Sequence, residues 1–80
     1  MIKIKDILTL EDDREYVVSS KSDIDGFTYI YLVDINNHAN IKFCKIIFQN
    51  DSLNLIEITD DETLKKVMPI LASSIIEEIS

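Results

Sequence analysis

"TDDETLKKVMPILASSIIEEI", residues 59–79, decides how this chain is read. Its apolar residues are Leu64, Val67, Met68, Leu71, Ala72, Ile75, Ile76 and Ile79. On a helical wheel at about 100° per residue they form one continuous stripe. Thr59 as N-cap, with Glu62 three residues on, makes a capping box, and Asp60 and Asp61 oppose the positive end of the dipole. Asp61–Lys65 and Glu62–Lys66 add favourable pairs four residues apart. Pro69 interrupts the pattern, because it lacks an N–H for the carbonyl of Lys65. The stripe keeps its phase across Pro69, so the expectation is one helix, kinked there and wrapped on a curved sheet. The alternative is two helices, the second with Pro69 at its first position. Ile70 falls on the polar side of the wheel, near Lys66, Ser73 and Glu77. Beside so broad a stripe it marks a second apolar surface, for a dimer or a partner protein.

Upstream, the pattern changes from helix to strand. "IKIKDILTL" (2–10) reads as a strand or two short pieces, "EDDRE" (11–15) as a charged turn, and "YVVSSKS" (16–22) as the next strand. "FTYIYLVDI" (27–35) is rich in aromatic and β-branched residues, which fit a pleated surface. Asp25-Gly26 before it is the best hairpin signal, with a loop of two or three residues. "NNHAN" (36–40) is a loop. "IKFCKIIFQ" (41–49) is a strand whose apolar parity changes near Cys44–Lys45, which points to a bulge or sharp bend. "LNLIEI" (53–58) is the last strand and changes parity as well. The expected fold is α+β, one domain over residues 1–80. A meander of four to five short antiparallel strands (1–58) forms a curved sheet or small partly open barrel. One C-terminal helix (59–79) follows.

Eighty residues bury about 60% of their unfolded surface, enough to fold with little to spare. The formal net charge of −7 is spread over both halves of the chain. Such a field repels nucleic acid and anionic membranes and favours either basic partners or plain solubility. No stretch approaches the roughly 18 apolar residues that span a bilayer, and the N-terminus lacks the pattern of a signal peptide. The single cysteine, Cys44, excludes an internal disulfide and suits a reducing cytoplasm.

Residues 21–32 superficially resemble a calcium loop, with Asp23, Asp25 and Gly26 in place. Lys21 and Leu32, however, stand where oxygen ligands are needed. A zinc site needs about four paired Cys and His ligands, and this chain has one of each, Cys44 and His38. Lys42 and Lys45 flank Cys44 and could depress its pKa, but a buried, inert thiol is the expected state. His38 reads as a solvated loop residue. The carboxylates of "EDDRE" sit in an exposed turn, which cannot raise a carboxylate pKa by burial. One glycine permits no glycine-rich phosphate loop, and there is no G-x-S-x-G elbow. Catalysis and cofactor binding therefore have no physical basis in the sequence. Phe27, Tyr29 and Tyr31 read as core, with a protein-contact patch as the other use.

The succession "DILTLEDDREYVV" (6–18), "DGFTYIYLV" (25–33) and "LNLIEITDDETLKKVMPIL" (53–71) resembles the YrzB-like small acidic proteins of low-GC bacteria. That family has no established activity, so the resemblance implies a shape and no site residues. The heavy use of Ile, Lys, Asn and Asp is also what a phage of such a host would encode. The expected function is a cytoplasmic, non-enzymatic interaction module, such as a phage-encoded inhibitor. It would dock on a basic, nucleic-acid-binding surface of a host defence or nucleic-acid-handling protein. Glu11, Asp12, Asp13, Asp60, Asp61, Glu62 and Ile70 are the expected contacts. The alternative is a structural homo-oligomer with the C-terminal helix as its interface.

Overall fold

The computed structural model describes residues 2–79, with side chains through residue 73. Five strands run in chain order: β1 (Ile7–Thr9), β2 (Glu15–Ile24), β3 (Phe27–Asp34), β4 (Ile41–Gln49) and β5 (Ser52–Glu57). Each pairs antiparallel with the next, giving a sheet of order β1-β2-β3-β4-β5 that curls into a half-barrel. One helix, α1 (Asp61–Ile79), follows. It packs chiefly on β2, with a smaller contact to β3.

The turns follow from residues that accept a left-handed backbone. Ile24 pairs with Phe27, so Asp25-Gly26 is a two-residue loop, with φ of 52° and 85°. That is the positive-φ pair a tight hairpin needs. Asn50-Asp51 closes the β4–β5 hairpin in the same way, at 51° and 61°. Asn and Asp tolerate this region because their short side chains bond locally.

The sheet is apolar on both faces. On one, Tyr29, Phe43, Ile24 and Ile58 pack under Val67 and Leu71 of the helix. On the concave face, Ile2, Tyr16, Val18, Ile30, Leu32 and Cys44 cluster, with Leu8, Leu10, Ile46 and Leu55 at the margin. This two-sided burial corrects the expected defect in "IKFCKIIFQ". Its pairing with β3 runs unbroken from Ile41↔Val33 to Thr28↔Ile46, and its pairing with β5 is equally regular. Phe43 serves the helix face and Cys44 the concave face, so the parity change needs no bulge. The irregularity lies instead in β2. Val18 pairs with Leu32, yet Ser20 pairs with Tyr31, which leaves Ser19 as an extra residue. That residue transfers the even positions of β2 from one face to the other. Tyr16 and Val18 thus line the concave face, while Ser20 and Ile24 lie under the helix.

The N-terminal strand is shorter than expected. Only Ile7–Thr9 is strand, and Lys5 turns through φ 78° while its N–H still bonds the carbonyl of Val18 at 2.7 Å. Ile2 is nevertheless buried in the concave cluster.

The helix is continuous through Pro69, which removes the two-helix alternative. Val67 and Leu71, on either side of Pro69, are fully buried. The expected stripe is narrower than the wheel suggests. Met68 is 44% exposed and Ala72 is also exposed, because the helix covers little beyond β2 and β3. Ile75, Ile76 and Ile79 lie outside the described side chains. The cap is also displaced by one residue. Asp60, not Thr59, is the N-cap, its carboxylate accepting the N–H of Thr63 at 2.9 Å. Lys66, expected to pair with Glu62, reaches Asp25 of the β2–β3 hairpin instead.

Candidate interaction cleft

The half-barrel stays open between its two edge strands, and the opening is a cavity of about 470 Å³. Thr9, Leu10, Glu11 and Asp12 line it from the β1–β2 side, and Leu53, Asn54, Leu55 and Glu57 from β5. Lys42 and Cys44 of β4 form its floor. An adjoining, more apolar hollow of about 470 Å³ is lined by Ile2, Lys21, Thr28, Ile46, Phe48 and Leu53. Leu53 belongs to both.

A chain of hydrogen bonds fixes the acidic rim. Arg14 holds Asp34 at 2.8 Å, and Asn40 donates to both Asp34 (3.1 Å) and the Tyr16 hydroxyl (3.0 Å). The Tyr16 hydroxyl in turn donates to Asp12 at 2.7 Å. The bond from Tyr16 holds the Asp12 carboxyl below the usual range, with burial opposing and the N–H of Arg14 assisting. Asp12 is thus a fixed anion at neutral pH. Asp34 is buried but fully partnered, and Arg14, then Asn40, draw its pKa down to about 2.

Lys42 is the cation of the floor. It bonds Glu57 at 2.7 Å, which raises its pKa, and lies 5.8 Å from the centre of the Tyr16 ring. Its charge is offset at the cleft by Glu57, so Glu11 and Asp12 leave the rim net negative. Cys44 lies on the same face as Lys42, two residues away, whereas Lys45 points to the other side over Phe27. Burial first, and then Glu57, push the Cys44 thiol up to about 11, against the pull of Lys42. It is a neutral thiol at physiological pH.

The expected contact residues divide into three groups. Glu11 and Asp12 line the cleft, with Asp13 exposed beside them at φ 61°. Asp60 is engaged in capping, which leaves Asp61 and Glu62 exposed in the first turn of the helix, just beyond β5. Ile70 lies away from both groups on the helix, 39% exposed. Sequence reasoning named Lys42 as a neighbour of Cys44 but missed its pairing with Glu57, and it missed the Arg14–Asp34–Asn40–Tyr16 chain. Their only signal was the register of strands distant in sequence. His38 is exposed in the β3–β4 loop, and residues 21–32 form the β2–β3 hairpin rather than a loop. Tyr29 is core, Tyr31 meets Phe43 edge-to-face at 4.9 Å, and Phe27 is 45% exposed under Lys45.

No helix among the described residues is long and apolar enough to cross a membrane. No family model, curated protein or solved structure matches the chain.

Proposed function

We propose that this protein is a small, non-enzymatic interaction module that docks on a basic surface of a partner protein. The observation that supports it most is the cleft: Leu10, Leu53 and Leu55 beside a floor of Lys42 and Cys44, rimmed by Glu11, Asp12 and Glu57, on a chain of net charge −7. Apolar contacts supply affinity in such a site, while the charge selects the partner and speeds encounter. Surfaces that handle nucleic acid are basic, so a defence or nucleic-acid-handling protein of the cell fits this chemistry. The protein would then compete with the nucleic acid for that surface, as a phage-encoded inhibitor does. Direct nucleic-acid binding is disfavoured by the same charge. Kinship with the YrzB-like proteins belongs to this reading and adds only a shape.

The test is capture of a partner at low salt, followed by titration of the purified pair. Affinity should fall at least about tenfold between about 50 and 500 mM salt, as the Debye length shrinks from above 10 Å to a few ångströms. An affinity indifferent to salt contradicts the reading. A second reading, self-association through the helix, draws on the exposure of Met68 and Ile70. A strict monomer by sedimentation at high concentration removes it.

A further inference from the structure

The two edges of the half-barrel differ. β1 is a three-residue strand preceded by Lys3, Lys5 and Asp6, a short and charged edge of the kind proteins use to prevent pairing. β5 has six residues, "SLNLIE", with no proline, no lysine and no bulge. Among the described residues its one strand partner is β4. The N–H of Ile58 donates to the carbonyl of Phe43 at 2.8 Å. Hydrogen-bonded pairs alternate along an antiparallel ladder. In the observed register, therefore, Ile56, Asn54 and Ser52 bond β4. The N–H and C=O groups of Leu53, Leu55 and Glu57 consequently point away from the sheet. They point into the gap that the cleft occupies, where Leu53 is 41% exposed; its cross-strand neighbour Phe48, in the adjoining hollow, is 73% exposed.

We infer that β5 is the docking element, and that it takes an extended segment of the partner, alternating aliphatic and basic residues, as a sixth strand. This rests on the reading of the protein as a module for basic partners. The added strand bonds the outward groups of Leu53, Leu55 and Glu57 and narrows the open side of the half-barrel. Its aliphatic side chains lie over Leu53, Leu55 and Leu10, and its basic ones, on the opposite face of the added strand, answer the general −7 field. A second copy of this chain is the wrong occupant on charge, since it would bring two −7 surfaces edge to edge.

The probe is the peptide Ac-(Val-Lys)5-NH2, with a second peptide of equal charge methylated at its valine nitrogens. In an antiparallel sixth strand those nitrogens face β5 when the valines share the face of Leu53 and Leu55. Binding is measured by fluorescence anisotropy at low salt, and amide exchange is followed by NMR. The parent peptide should bind and slow exchange of the Leu53, Leu55 and Glu57 amides at least about tenfold. The methylated peptide should bind at least about tenfold more weakly, having lost several net hydrogen bonds. The Leu53→Pro variant, which removes an outward N–H and leaves the β4 ladder intact, should show the same loss. The methylated peptide decides the matter even if that variant fails to fold. Equal binding of both peptides, with the three amides unprotected, overturns strand addition and leaves charge-driven docking standing. Binding of neither peptide overturns both. Protection of those amides without peptide, together with a concentration-dependent dimer, identifies a second copy as the occupant and overturns the inference.

Discussion

The hydroxyl of Ser20, buried in β2, donates to the carbonyl of Leu71 in α1 across 2.9 Å. This bond joins sheet to helix immediately after the bulge at Ser19 in β2 and just past Pro69 in α1. A proline inside a helix costs about 3 kcal/mol relative to alanine, so packing on both sides must offset it. Val67 and Leu71 supply that packing, and Ser20 fixes its register. Ser20→Ala should lower stability by about 1 kcal/mol, a melting shift of about 4–8 °C for a chain of this size. Leu71→Ala should cost about 2–5 kcal/mol by leaving a cavity. Denaturant titration followed by far-ultraviolet circular dichroism measures both. A neutral result at Leu71 would contradict the continuous, docked helix.

Acid should weaken the fold through Asp34. Its folded pKa of about 2 lies below its ordinary 3.8, so its contribution is complete above about pH 4. That contribution is lost as pH falls through the window from about 4 to about 2. Asp12 and Asp60, also lowered, act with the same sign. Asp34→Asn should reduce stability at pH 7 and flatten the acid limb. Melting temperatures between pH 2 and 6 test this, and an acid limb as steep as that of the unaltered protein would contradict it.

Cys44 should be silent in the native state. Burial holds its thiol neutral, so a thiol reagent at pH 8 should label it at the rate of unfolding. Denaturant should accelerate labelling in step with loss of helix. Complete labelling of the folded protein within seconds would contradict the assignment.

The position of the helix cap separates two nearly identical readings. Asp60→Ala should destabilise the protein more than Thr59→Ala, because the Asp60 carboxylate accepts the N–H of Thr63. The reverse order in thermal melts would restore Thr59 as the cap.

These particulars show which parts of the fold could be read in advance. "FTYIYLVDI" and Asp25-Gly26 gave their strand and hairpin away because β-branching and positive φ are properties of single residues. The parity change at Cys44 misled because alternation marks a bulge only when one face is buried, and this sheet buries both. The real bulge, at Ser19, sits in "YVVSSKS", where no residue type announces it. Thr59 and Asp60 are both good caps, and only geometry chooses between them. The acidic turn was legible as charge, but its role in a cleft was not. That role depends on Glu57 and Lys42, far along the chain, and on Asp34 and Asn40, which hold Tyr16 against Asp12.

The central claim is that charge at this cleft selects a basic partner. The most direct measurement compares the salt dependence of partner affinity for the unaltered protein and for a variant carrying Glu11→Gln and Asp12→Asn. The account predicts a steep loss of affinity with salt for the unaltered protein. It predicts a shallower slope, with weaker binding at low salt, for the variant. Identical slopes for the two, or no dependence on salt in either, would contradict it.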